Sequence, residues 1–196
     1  AFKNAKIIVS PSETINNGTL LIKNGKIIDV GTNVIIPKDA TIVNLEGKSM
    51  YPSFIDAYSN FGIETPKRTN GRSTIPQYDS KREGYYWNDH IMPENNALDH
   101  FKFDEKQASE LRKIGFGVVN THLEDGIIRG TGLLVALNSE GNNADRLLSE
   151  KSAQYLSFSK SAKSNQIYPS SLMGSMALLR QVYLDANWYA TGNVEN

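Results

Sequence analysis

The first 48 residues alternate short apolar runs with clusters of turn-forming residues. FKNAKIIV reads as a strand. PSETINNG is a turn cluster, rich in the residues that favour tight backbone reversal. TLLIKNGKIIDVG reads as two strands joined through Asn24-Gly25, a pair suited to a two-residue turn whose central residues both need φ > 0. Pro37, Lys38 and Asp39 mark another turn, and TIVNLEGK a further strand and turn. The pattern predicts a small β-domain over residues 1–48, followed by a strand over Ser53–Phe61.

Residues 49–196 read differently. The stretch 62–100 is irregular, with charged, aromatic, Gly, Pro and Asn residues in PKRTNGRSTIP and REGYYWNDHIMPE. A segment this long without regular structure is uncommon inside a domain, and Tyr85, Tyr86 and Trp87 favour a packed loop. From residue 104 the period becomes helical. Asp104 can cap DEKQASELRKIG, with Ala108, Leu111 and Ile114 on one side and Gly115 ending it. FGVVNTHL is a β-branched strand and DGIIRGTGLLVALN a glycine-punctuated strand pair. ADRLLSEKSA suits a short helix or an excursion from the core. SLMGSMALLRQVYLDANWYA predicts a helix over Leu172–Tyr189 with Leu172, Met176, Leu179, Val182 and Tyr183 on one side. Strands first, then βα alternation, point to an α/β protein in which a small sheet leads into a parallel barrel or open sheet.

Composition narrows the classes of function. The 196 residues carry 21 basic and 21 acidic side chains, so no net field favours nucleic acid or an anionic membrane. No apolar run approaches the ~20 residues that span a bilayer. Cysteine is absent, which removes disulfides, thiolate metal sites and a cysteine nucleophile. The compartment is left open: a processed N-terminus before AFKNAKIIV would place the protein in the periplasm or cell envelope.

The order of segments resembles the N-terminal signature of the amidohydrolase superfamily, metal-dependent hydrolases of cyclic amides and related C–N bonds. There the segment after the β-domain reads Pro-Gly-Phe-Ile-Asp-x-His-x-His, and its two histidines bind a catalytic divalent metal. Pro52, Phe54, Ile55 and Asp56 match; Ser53 replaces the glycine, and Tyr58 and Asn60 stand where the histidines would be. IMPENNALDHFKFDEKQASELRKIGFGVVNT, GIIRGTGLLVAL and YPSSLMGSMALLRQVYLDANWY are similar to successive segments of the imidazolonepropionase-like branch. The resemblance implies a (β/α)₈ barrel carrying a small β-domain built from both chain ends. A barrel alone takes ~250 residues, so this chain would hold the β-domain and the first part of a TIM-like barrel, incomplete by itself. The family's later ligands come from barrel strands four to eight, beyond the part matched here.

Alternation places Phe54, Asp56, Tyr58 and Asn60 on one strand face. Two histidines at i and i+2 can share a zinc ion at about 2.0–2.1 Å. A neutral phenol and a neutral amide are poor substitutes. The expected metal set is therefore none, with Tyr58 and Asn60 marking a lost metal pair, and no cofactor is expected in this chain. A divalent metal such as zinc would enter only if the complete assembly is active. Asp56 and His122 are the remaining catalytic candidates. The simpler account of Asp56 is a carboxylate bonding nearby loops. That of His122, beside Glu124 and Asp125, is a solvated or structural loop histidine. His90 and His100 lack metal-ligand spacing. GTGLL lacks the context of a dinucleotide site, no GxSxG elbow exists, and PKRTNGR reads as a solvated loop.

Two functions follow from the resemblance. One is a degenerate module that serves as a structural or assembly partner of the remaining polypeptide or of a companion amidohydrolase chain. The other is part of an active hydrolase of C–N bonds whose further ligands lie elsewhere. A substrate-binding module using the aromatic loop is a third.

Overall fold

The structure, a computed structural model, describes residues 1–68, 75–77, 81 and 87–192. The chain forms two compact units, Ala1–Ser53 and Phe54–Asn196.

In the first unit, β1 (Phe2–Ser10), β2 (Glu13–Lys23) and β3 (Lys26–Gly31) form an antiparallel meander. The short β4 (Val43–Asn44) and β5 (Ser49–Met50) add to β1 in parallel. The β2–β3 turn is Asn24-Gly25, with φ of 51° and 72°, the left-handed pair that an Asn-Gly hairpin supplies at little steric cost. PSETINNG departs from expectation. Only Pro11 and Ser12 turn, and Glu13–Gly18 is strand. Pairing with β1 overrides the local turn preference. Asn4 and Asn17 absorb the irregular register with φ of 60° and 50°. The buried apolar side chains of this unit are Ala5, Ile7 and Leu21.

The second unit is built on one parallel βαβ element. Its strands are β6 (Phe54–Ser59) and β7 (Phe116–Thr121), in register through Phe54 with Phe116 and Ser59 with Thr121. The helix between them is α1 (Glu105–Lys113). Asp104 accepts the Gln107 N–H at its N-terminus, and Gly115 follows it with φ of 100°. Beyond β7 the expected parallel alternation gives way. β8 (Ile128–Thr131) and β9 (Leu133–Ala136) do not pair with each other. β9 returns antiparallel to β7, and β10 (Leu147–Ser149) continues that sheet in the order β10-β9-β7-β6. β8 pairs with β11 (Gln154–Leu156). A short α2 (Asn143–Arg146) precedes β10. Two strands drawn from one apolar run, β8 and β9, thus serve two sheets, parting in the stretch that holds Gly130, with φ of 85°, and Gly132.

Two cores fill this unit. One gathers Phe61, Ala97, Ala108, Val119, Leu133 and Val135 between the sheet and α1. The other joins Ile91, Ile127 and Ile128 to the helix α3 (Leu172–Ala190) through Leu178. The buried face of α3 is centred on Ser175 and Leu178, with Leu179 and Val182 beside it. Leu172, Met176 and Tyr183, expected to face inward, are half or more exposed. Strand β6 lies at the sheet edge, with Phe54, Ile55 and Tyr58 exposed. Tyr85 and Tyr86 lie outside the described residues. Trp87 donates its indole N–H to the Ile91 carbonyl at 3.0 Å. Among the described residues no helix is long and apolar enough to cross a membrane.

Candidate functional site

The ends of β6 and β7 meet where Ser59 accepts the His122 backbone N–H at 3.0 Å. Parallel pairing therefore carries Tyr58 and Asn60 alongside His122, sixty-odd residues later in sequence. Thr121 locks the junction by donating its hydroxyl to the Phe61 carbonyl at 2.8 Å. Asp56 turns back on its own strand and accepts the Tyr58 N–H at 3.1 Å. Asn60 lies just past the strand and donates its amide to Glu124 at 3.1 Å.

His122 is fully buried rather than solvated. Its ring stacks on Tyr155 with centroids 3.8 Å apart and planes 5° from parallel, and meets Tyr58 edge-on at 4.5 Å. Tyr155 is itself fixed by donating to the Ala57 carbonyl at 3.1 Å. Burial raises the Tyr155 phenol above its usual range, helped by the Asp56 charge.

The residue that organises this cluster is Arg129, on β8. It is 7% exposed. Its Nη1 donates to the Tyr58 hydroxyl at 2.6 Å and to His122 Nε2 at 3.2 Å, and its Nε donates to the Gly126 carbonyl at 3.2 Å. Arginine is a donor only, so His122 Nε2 must accept, and the imidazole proton sits on Nδ1. That Nδ1 makes no hydrogen bond. The Ser59 carbonyl favours the charged ring electrostatically without reaching hydrogen-bond geometry. Burial lowers the His122 pKa from the ordinary histidine value, and the neighbouring guanidinium lowers it further, against a smaller opposing pull from Glu124. The ring is neutral near pH 7.

The side chains of His122, Glu124 and Asp125 diverge. Asp125 accepts the Ser161 hydroxyl and the Ala162 N–H, each at 2.7 Å, and Glu124 is engaged by Asn60. His90 is buried in the same network. Its Nδ1 accepts the Ser161 N–H at 3.0 Å, and Nε2 faces the Gln166 carbonyl at 3.4 Å. Serine, histidine and aspartate meet here, but the hydroxyl binds the carboxylate directly and both imidazole nitrogens are spent on backbone. No base is poised on Ser161, so this is a buried tie between loops and not an activated nucleophile. His100 lines a cleft of about 1200 Å³ with Asn60, Lys102, Lys106 and Asp125. Tyr58, His122 and Arg129 do not line it.

The chain is similar in fold to an amidohydrolase. The crystal structure of an amidohydrolase from Thermotoga maritima MSB8 superposes with a TM-score of 0.70 at 24% identity, over 98% of this chain. The match covers 48% of that protein, so the chain spans about half its length. No family model and no curated protein matches the chain.

At the strand ends the Tyr58 oxygen and His122 Nε2 both accept from Arg129. A divalent cation beside a buried guanidinium would meet direct repulsion. Asn60 turns its amide donor toward Glu124. Among the described residues no three His, Asp or Glu side chains converge in a way that could hold an ion. Arg129 and Tyr155 escape sequence reasoning as site residues. The signal for Arg129 was its isolation, as the single charge in the run Gly126–Leu137.

Proposed function

We propose that this chain is the N-terminal part of an amidohydrolase-like protein, degenerate at the strand-one metal site, serving as a structural or assembly module of a larger protein. The imidazolonepropionase-like branch accounts best for the order of its segments. In this reading β6, α1 and β7 are the opening of a TIM-like (β/α)₈ barrel, and residues 1–48 belong to the composite β-domain. Tyr58 and Asn60 mark the lost metal pair. The observation that carries the reading is the guanidinium of Arg129 bonded to both Tyr58 and His122, a fixed cation at the strand ends where the family places its metal. The exposed edge strand β6 and the uncovered face of α3 support an assembly role. Their natural cover is the remainder of the polypeptide or a companion chain.

The test is metal content. Full-length protein purified without chelator should carry no stoichiometric zinc bound through Tyr58 or Asn60, as read by elemental analysis and anomalous diffraction. Zinc within bonding distance of either side chain would overturn the reading and favour an active hydrolase of C–N bonds with an altered site.

A further inference from the structure

We propose that Arg129 and Tyr58 form a binding site for a small monocarboxylate anion. The inference goes beyond a structural role, because it assigns a ligand class to the strand ends.

The argument is a census of donors and acceptors. Arg129 has five N–H hydrogens and no acceptor. Its Nη1 and Nε make its three hydrogen bonds, none of which uses Nη2. Among buried side-chain nitrogens and oxygens of the described residues, His122 Nδ1 alone lacks a partner. Nη2 is also unpaired, so it must open to solvent. The Tyr58 oxygen accepts from Arg129, which leaves its own hydroxyl hydrogen to donate, and the residue is 54% exposed. His122 Nδ1 is fully buried and takes no part in the site. Arg129 Nη2 and the Tyr58 hydroxyl therefore offer donors around a positive charge.

That charge has no carboxylate within 4.0 Å among the described residues. Glu124 and Asp56, whose charges act on His122 and Tyr155, hold Asn60 and the Tyr58 N–H. A guanidinium buried without a counter-ion carries an unreturned desolvation cost. A planar two-oxygen acid restores the balance, since its oxygens match the guanidinium fork. The single cation, with Glu124 and Asp56 in the neighbourhood, suits one negative charge and disfavours a phosphate dianion.

The experiment is a titration of full-length protein with sodium acetate at constant ionic strength made up with chloride. It is followed by calorimetry and by the NMR signal of the Arg129 Nε–H. Saturable acetate binding with a shift at that signal is expected, with inorganic phosphate binding more weakly. Arg129→Met should weaken acetate binding by about tenfold or more, the loss of one charge-assisted pair. Tyr58→Phe, which keeps the ring packing and the cation, should weaken it about threefold. It serves as the readout if Arg129→Met does not fold. Absence of saturable binding above the chloride control would overturn the proposal, as would unchanged affinity in Tyr58→Phe. A polypeptide carboxylate already seated on Arg129 would give the first of these results.

Discussion

Gly130 ties backbone geometry to the Arg129 cluster, and Gly130→Ala tests that tie. The residue follows Arg129 on β8 with φ of 85°. A methyl at this position would overlap the Asn95 carbonyl oxygen and come within 2.7 Å of its carbonyl carbon. That carbonyl cannot swing aside, because it accepts the Thr131 N–H at 2.8 Å. The left-handed conformation alone costs alanine about 1–2 kcal/mol. Overlap with fixed backbone adds the about 1–3 kcal/mol typical of overpacking. We therefore expect about 2–5 kcal/mol of destabilisation, which for an m-value of about 2 kcal/mol/M lowers the urea midpoint by about 1–2.5 M. The assay is equilibrium urea unfolding followed by tyrosine and tryptophan fluorescence. Gly25→Ala is the companion, with φ of 72° and no atom within 4 Å of the new methyl. It should show only the backbone cost of about 1–2 kcal/mol. A Gly130→Ala variant no less stable than Gly25→Ala would refute the close approach and the placement of Arg129 that depends on it.

Other outcomes follow from the same structure. His90 and His122 both have pKa values lowered by burial, so the unfolded chain takes up protons first as the pH falls. Stability should be full above about pH 6.5 and decline below it; thermal unfolding between pH 8 and pH 5 checks this, and a midpoint that rises on acidification would contradict it. Tyr58→His combined with Asn60→His should confer neither tight zinc binding nor hydrolysis, since Arg129 remains and the family's later ligands are not in this chain; calorimetry with zinc chloride is the measurement. The isolated 196-residue chain should self-associate or aggregate, because β6 is an exposed edge and α3 shows Met173, Tyr183 and Tyr189 to solvent. A cooperative, soluble monomer in analytical ultracentrifugation would sink that expectation.

Local chemistry made part of this fold readable. Asn24-Gly25 specifies its hairpin because few other pairs adopt two left-handed residues, and Asp104 specifies a helix start through one side-chain acceptor. Both signals act within four residues. The sequence misleads where distant partners decide. The Asn-Asn-Gly of β2 looks like a turn but is carried within the strand by pairing with β1, with Asn17 alone left-handed. The periodicity of α3 offers several apolar faces, and contact with Ile91, Ile127 and Ile128 selects the one through Leu178. The βα alternation fails after β7 for the same reason: the glycines around Thr131 announce bends but not which strand each half will join. At the site, Tyr58 and Asn60 stand out by comparison with a motif. Arg129 and Tyr155 reach it from other strands and carry no motif of their own.

The length of chain between β6 and β7 also bears on how the protein folds. The strands pair across an insertion of some sixty residues, the separation spanned by the Thr121–Phe61 hydrogen bond. Closing such a loop is thermodynamically mild, since each doubling of length costs only about 0.6 kcal/mol. Kinetically it is slow, because distant contacts form after local ones. The β1–β2–β3 meander and α1 can form early, while β6 waits for its partner. During synthesis β6 emerges well before β7, so a nascent chain would present an unpaired apolar strand to the ribosome exit and its chaperones.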